Sequence, residues 1–375
     1  MANYPQIDDC SGVWKLKDVN NAVMGGYWRV GSGRAVFSGG NDGSGSDGSN
    51  IIDYVTITTN GDAADFGDLT AGAETAGGFA SHTRFFALQG GSPSNAIDFV
   101  NIMTTGNAAD FGDATAGTFF RAGASNAIRG IFAGGDGSPD VNIIDYITMD
   151  SAGNATDFGD LTVARRAHST HASSPIRTVF TGGQTPTAQN VMDFITIASQ
   201  GNAIDFGDLT SSRGSMGACG SSVFGMTGGG SGNETIMDRF TIASQGNAID
   251  FGDLTSARGS MGACGSSVFG MTGGGSGDES VMDRFTIASQ GNAVDFGTMV
   301  LGRHGAAACS NSVRGLWAGG RVSPAYKDEM DVTTLNSGGQ AVDFGNLTDG
   351  RGNIAAGCNN HGGLNDGYQG YGARP

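Results

Sequence analysis

One phrase of ten residues, written seven times, decides what this chain can fold into. GNAIDFGDLT stands at 201–210 and 246–255, with GDAADFGDLT at 61–70, GNAADFGDAT at 106–115 and GNATDFGDLT at 153–162. Weaker copies are GNAVDFGTMV at 291–300 and GQAVDFGNLT at 339–348. The Asp before each Phe is Asp65, Asp110, Asp157, Asp205, Asp250, Asp295 and Asp343, so the steps are 45, 47, 48, 45, 45 and 48 residues. Repetition at that period means one small unit stacked against its copies. It overrides the two or three domains that 375 residues would otherwise suggest.

Residues 256–300 give the clearest unit. SARGSMGACGSS is a first strand of small residues, and VFGMTGG is a second ended by a Gly pair. SVMDRFTIAS is a third strand, and GNAVDFGTM a fourth entered through a Gly-Asn turn. Each unit is a four-stranded antiparallel meander. Gly is 67 of the residues, against a usual share of about 7%, yet there is no three-residue period and there are only 7 Pro. With apolar runs recurring between the glycines, this composition reads as tight turns in an all-β protein.

The third strand requires more than one sheet. In NIIDYVTI (50–57), Ile51, Val55 and Ile57 point one way and Ile52 and Tyr54 the other. Both faces are apolar, so both must be covered, and seven units stacked face to face close into a ring. The small-residue strand belongs near the axis, where only Gly, Ala, Ser and Cys fit, and the Phe-bearing fourth strand at the rim. Seven Gly pairs end the second strands: Gly39-Gly40, Gly90-Gly91, Gly134-Gly135, Gly182-Gly183, Gly228-Gly229, Gly273-Gly274 and Gly319-Gly320. The chain enters the pattern at a second strand, GRAVFSGG (33–40), and leaves it with an orphan first strand, RGNIAAGCNN (351–360). Pairing the two completes a blade and removes exposed sheet edges. The expectation is a seven-bladed β-propeller over residues 29–361, with an attachment segment at 1–28 and a Gly-rich tail at 362–375. In the attachment segment, Leu16, Val19 and Val23 at near-helical spacing, flanked by Trp14 and Trp28, predict a short helix or helical turn.

A formal net charge of −16 with only 20 basic residues argues against nucleic acid and against an anionic membrane surface. No apolar run has the length of a transmembrane helix, and MANYPQIDDC lacks the pattern of a secretory signal, so synthesis and folding in a cytosol are expected. Of five cysteines, Cys219, Cys264, Cys309 and Cys358 are one repeat position copied four times, and Cys10 stands apart. They read as small buried apolar side chains rather than as a disulfide framework or a metal ring.

These features resemble the kelch repeat, which also ends its second strand with Gly-Gly and places an Arg after its fourth. Here that Arg is Arg165, Arg213, Arg258, Arg303 and Arg351, and it is missing after the first two fourth strands. The kelch Trp is replaced by Phe66, Phe111, Phe158, Phe206, Phe251, Phe296 and Phe344. DYVTITTNGDAADFGDLT, DFITIASQGNAIDFGDLT and SGVWKLKDVNNAVMGGYW resemble more closely a kelch-like subfamily of structural proteins in tailed phages. That resemblance implies a virion component (tail fibre, tail appendage or capsid-surface protein). It implies no catalytic residues and no cofactor.

The residues themselves carry little chemistry. Asp53, Asp98, Asp145, Asp193, Asp238, Asp283 and Asp331 recur in the third strands. Seven equal carboxylates are expected to accept hydrogen bonds from backbone N–H groups or the following Arg, bracing blade to blade, since a catalytic site needs one constellation. The repeated DFG lacks the companion motifs of a kinase. His82, His168, His171, His304 and His361 share no repeat position. NDGSGSDGSN (41–50) offers Asp42 and Asp47 as a weak calcium candidate against a solvated loop. The loops after the Gly pairs vary, and loops on a rigid scaffold are where recognition sits. RVSPAYKDE (321–329), with Arg321, Tyr326 and Lys327, is the most distinctive and marks the expected contact face. The function expected is a non-enzymatic virion protein, assembled in the host cytoplasm. Its propeller would contact a host receptor or glycan, and its N-terminal segment would dock to other virion proteins without nucleic acid or membrane insertion. The alternatives are a decoration protein touching only virion neighbours and a carbohydrate-active enzyme.

Overall fold

The computed structural model describes residues 33–45, 48–73, 77–89, 94–126, 128–166, 169–174, 176–221, 223–311, 313–337 and 339–359. The attachment segment with Trp14 and Trp28, the tail, Cys10, Asp47, Gly90-Gly91, His168 and His361 lie outside these residues. Seven four-stranded antiparallel sheets form the blades of a β-propeller. Blade 1 is Ala64–Ala73, Ser49–Thr56, Arg34–Ser38 and, from the other end of the chain, Ala355–Cys358. Ala35 pairs with Cys358 and Ser38 with Ala355, so the expected closure by a C-terminal first strand is present.

The inner strands neighbour one another in a closed circuit. It runs from Ala355–Cys358 through Gly77–Ala80, Ala122–Ser125, Ser169–Ser173, Gly217–Gly220, Gly262–Gly265 and Ala307–Ser310 back to the start. They define blades 1 to 7 in that order. The apolar core is correspondingly divided into seven clusters, one at each boundary between blades, and each contains one Phe of the repeated phrase. Phe66 lies between blades 1 and 2, Phe111 between 2 and 3, and Phe158 between 3 and 4. Phe206, Phe251 and Phe296 continue the series, and Phe344 closes it between 7 and 1. The two-faced third strand is explained by this division. Val55 and Ile57 pack toward blade 7, Ile52 and Tyr54 toward blade 2.

The expectation that only small residues fit the inner strands needs correction. Phe79 in Gly77–Ala80 is buried, because its ring occupies the place of a side chain at Gly130 in the next blade. Cys219 uses the same device on a smaller scale. A Cβ at Gly270 would lie 2.6 Å from its Sγ. The constraint is on the summed volume across a blade boundary, not on one strand. Cys219, Cys264, Cys309 and Cys358 are buried and form no disulfide, as expected of small apolar side chains.

The phrase itself is a rim latch. Gly106 N donates to Phe66 O at 2.7 Å, Ala108 N to Asp68 O at 2.8 Å, and Asp68 N to Asn107 Oδ1 at 3.2 Å. The Gly-Asn-Ala turn of one blade therefore pairs with the Phe-Gly-Asp strand of the blade before it. The last latch, Gly61 N to Phe344 O at 2.7 Å, joins blade 1 to blade 7. The Asp before Phe is exposed and accepts from the Gly two residues on, as Asp65 Oδ1 does from Gly67 N at 2.9 Å. This Asx turn sets the bulge between the third and fourth strands.

A second set of braces lies beside the turns from third to fourth strand, at the same end of the blades. Arg34, Arg84, Arg129 and Arg177 each cover an aromatic of the third strand, Tyr54, Phe99, Tyr146 and Phe194, with 4.1–5.0 Å between guanidinium carbon and ring centroid. In blades 5 and 6 the pair is reversed, with Phe224 and Phe269 on the second strand and Arg239 and Arg284 on the third. Either way the guanidinium donates to a carbonyl of the next blade. Arg34 reaches Ile102 O at 3.0 Å, and Arg284 reaches Leu335 O at 3.2 Å.

Candidate functional site

The third-strand carboxylates are structural in geometry. All seven are buried. Each accepts from the end of the preceding blade's fourth strand: Asp98 from Thr70 N and Oγ1, both at 2.8 Å, and Asp283 from Thr255 N at 3.1 Å and Oγ1 at 2.6 Å. Asp53 takes the same bonds from Thr348 across the ring closure. In blade 7 the exposed Val300 replaces Thr, and only its N–H reaches Asp331, at 3.1 Å.

The expected Arg partner is present in blades 1, 4, 5, 6 and 7 as Arg351, Arg165, Arg213, Arg258 and Arg303, all buried ion pairs. Its absence after the first two fourth strands is corrected for the second. Arg121, three residues further along than the repeat would place it, reaches Asp145 at 2.9 Å with both side chains buried. In blade 2 the place is taken by Gln89, whose Nε2 lies 2.6 Å from Asp98 Oδ2. Burial pulls the Arg121 and Arg165 guanidinium pKa values down, opposed by the facing carboxylates, and burial pushes Asp331 up despite Arg303. These groups offer no exposed atom to a ligand.

The loops between second and third strands, which vary from blade to blade, meet the connections from fourth to first on one face. There a funnel of about 530 Å3 opens on the ring axis. Its mouth is set by Phe120, Ser215, Ser260, Gly305 and Asn353, each from a different blade and each with φ of 51 to 64°. Four of them form a chain of backbone hydrogen bonds around the mouth. Ser260 N donates to Ser215 O, Gly305 N to Ser260 O and Asn353 N to Gly305 O, at 2.9–3.0 Å. Left-handed backbone at non-Gly residues is sparsely populated and marks positions held by their surroundings.

The funnel wall below is apolar, with Met216, Met261 and Ile354. One side carries Gln184, Asp136 and Arg166, and Arg166 pairs with Asp136 and with Asp140 at 3.3 Å. Phe120 is 45% exposed at the rim. Among the described residues the hydroxyls of Ser215 and Ser260 and the side-chain amide of Asn353 have no hydrogen-bond partner, so these groups are free for a ligand. Hydroxyl and amide groups beside an exposed aromatic suit a neutral polyhydroxylated ligand. Among the described lining residues Asp136 is the one acid.

The sequence-based candidates on this face are placed as follows. Arg321 and Tyr326 are opposite each other in a two-stranded hairpin, with the guanidinium 5.4 Å from the ring centroid. Tyr326 also lies over Gly352, and Lys327 donates its N–H to Gly320 O. All three are half-buried and packed against their own blade's connections, beside the funnel and not in it. Asp42 is half-buried, and its Oδ1 accepts from Ser44 N at 2.8 Å and Oγ at 2.6 Å. Those bonds, led by the hydroxyl, hold its carboxyl below the ordinary carboxylate value. Among the described residues no three His, Cys, Asp or Glu side chains converge as a metal site. His304 Nδ1 is 2.9 Å from Asp278 Oδ1, and the side chain of His171 lies outside the described residues. The funnel residues were missed from the sequence, although Phe120, Ser215, Ser260, Gly305 and Asn353 all stand ten residues after the Asp of the repeated phrase and so mark one repeat position. The chain matches no known protein-family profile, and no curated protein is significantly similar to it.

Proposed function

We propose that this chain is a non-enzymatic, kelch-like propeller of a tailed-phage virion, displayed on the particle exterior for contact with a host surface or glycan. The observation that carries the reading is the separation of repeated from unrepeated residues. The repeated carboxylates, phenylalanines and glycines are consumed in joining blade to blade. The unrepeated loops and the axial funnel, with its free hydroxyls and amide and the exposed Phe120, lie together on one face. A scaffold that presents variable groups on a rigid end is a recognition design. The likeness of the DFGDLT phrase to phage structural proteins supplies the setting, and residues 1–28 supply the proposed link to other virion proteins.

Mass spectrometry of purified particles and labelling with an antibody raised to the propeller test this reading. The protein is expected in the particle at a fixed copy number, with the funnel face reachable from solvent. Absence from particles, or turnover of glycoside substrates by the purified chain, overturns it. Burial of both propeller faces against virion neighbours would favour the decoration role instead.

A further inference from the structure

We propose that residues 11–28 of this chain lie across the face opposite the funnel, seated on a ring of aliphatic side chains around the axis. The turn from first to second strand has one residue whose carbonyl accepts a hydrogen bond from just beyond the third strand. Ile57 N bonds to Gly33 O, Ile102 to Thr83, Met149 to Ile128, Ile197 to Ile176, Ile242 to Val223, Ile287 to Val268 and Leu335 to Val313, all at 2.8–2.9 Å. These acceptors are one position seen in seven blades. Five of the seven are aliphatic and exposed. Ile128 is 64% and Ile176 67% accessible, and Val223, Val268 and Val313 are each 49%. The turn does not need them, since Gly33 and Thr83 make the same bond. Single exposed aliphatics are ordinary, but five at one symmetric position in consecutive blades form a patch with a purpose.

The occupant is argued from where the chain runs. The described chain begins at Gly33, itself a member of the ring. It ends at Asn359, whose Oδ1 accepts from Arg34 N at 2.8 Å. Both outlying segments therefore start on this face, in blade 1. Of the two, 362–375 (GLNDGYQGYGARP after one Gly) lacks aliphatic residues beyond Leu364, whereas 11–28 carries Val13, Trp14, Leu16, Val19, Val23 and Trp28. Trp28 is five residues from Gly33, a reach of about 17 Å at most, which confines it to this side of the ring. The two positions without an aliphatic residue, Gly33 and Thr83, belong to blade 1, where the chain enters, and to its neighbour. The same segment carries the polar residues Lys15, Lys17, Asp18, Asn20 and Asn21, which we propose as the groups that meet an outside partner. The inference thus extends the attachment role without depending on it.

The test uses the full chain, which has three Trp residues. Trp317 is fully buried and donates to Gly262 O at 3.1 Å, so acrylamide quenching reads Trp14 and Trp28. The parent protein is expected to be quenched far less than a free peptide of residues 11–28. Val223→Asp with Val268→Asp should raise quenching to the peptide's level and abolish slow amide exchange in 11–28. Ile204→Asp with Val300→Asp, exposed residues outside the ring, should leave both unchanged. Quenching of the parent equal to that of the peptide overturns the proposal. So does a ring variant that matches the parent, or a concentration-dependent dimer in sedimentation that the ring variant abolishes, since the occupant is then a second copy.

Discussion

Gly207 faces the main chain of Gly246 so closely that a Cβ on Gly207 would lie 2.6 Å from the Gly246 carbonyl atoms. This contact joins blade 4 to blade 5, and Gly246 N donates to Phe206 O at 2.8 Å within it. Gly207 also has φ of 137°, which L side chains rarely adopt. Gly207→Ala is therefore expected to cost about 3 kcal/mol, from backbone strain together with a separated latch. Gly246 has φ of 151° but open space around it, so Gly246→Ala carries only the strain and should cost about half as much. Urea unfolding of the two variants checks the order. Equal losses would mean that the close approach contributes nothing.

The reversed cation–aromatic pair in blade 5 makes a second expectation. Arg239 covers Phe224 at 4.5 Å and donates to Ile287 O and Ala288 O at 3.4 and 3.2 Å. Arg239→Phe removes these bonds and should destabilise by about 1–2 kcal/mol. Adding Phe224→Arg recreates the arrangement of Arg177 over Phe194 in blade 4 and should restore most of the loss. A thermal-denaturation double-mutant cycle measures the coupling. If the double variant is as weak as the sum of the singles, the two orientations are not interchangeable.

The buried pair of Arg213 and Asp238 makes a third. Arg213→Met leaves a buried carboxylate with only its Thr210 bonds, at 3.1 and 2.6 Å. The expected cost is about 3–5 kcal/mol, because the remaining charge is unpaired in a desolvated site. Arg213→Met with Asp238→Asn should regain part of it, and blade 2, where Gln89 serves Asp98, shows that a neutral partner is accommodated. Calorimetry of both variants separates the lost pair from the stranded charge. A single variant as stable as the parent would show the ion pair to be dispensable.

The blade count, ring closure and inner-to-outer order of strands were legible because they follow from period and alternation. Those signals average over all seven copies, so one irregular copy does not corrupt them. What was hidden depends on contacts between copies. Arg121 escapes a repeat alignment because it stands three residues late, yet it still reaches Asp145. Phe79 violates the small-residue rule unless Gly130 is known to lie opposite. Arg239 and Phe224 look like two unrelated substitutions until strand pairing places them side by side. The funnel is the extreme case. Phe120, Ser215 and Asn353 share a repeat position, ten residues after the Asp of the phrase, but no residue type, so no side-chain pattern singles that position out.

The inner-strand cysteines give the pH dependence. Burial pushes the Cys219 thiol up to about 12 from an ordinary value of 9.0, and it raises Cys264 and Cys309 as well. A thiol raised in the fold stays protonated there while the unfolded chain ionises. Its stabilising contribution is full below pH 9.0 and is lost progressively as pH rises through the folded value. For Cys219 the slope is about 1.4 kcal/mol per pH unit between those limits. Asp331 has the same sign at the acid end. Its raised carboxyl favours the fold most below the ordinary carboxylate value, and that contribution falls as pH rises through the raised value. Urea midpoints measured from pH 8 upward should therefore decline, and Cys219→Ala should decline less steeply from a lower starting stability. The cavity it leaves beside Gly270 sets that lower start. The native protein at pH 8 should also leave the four inner-strand thiols unlabelled by iodoacetamide, with labelling only after unfolding. Rapid labelling of Cys219, Cys264, Cys309 or Cys358 under native conditions would show that the inner ring opens far more often than its burial implies.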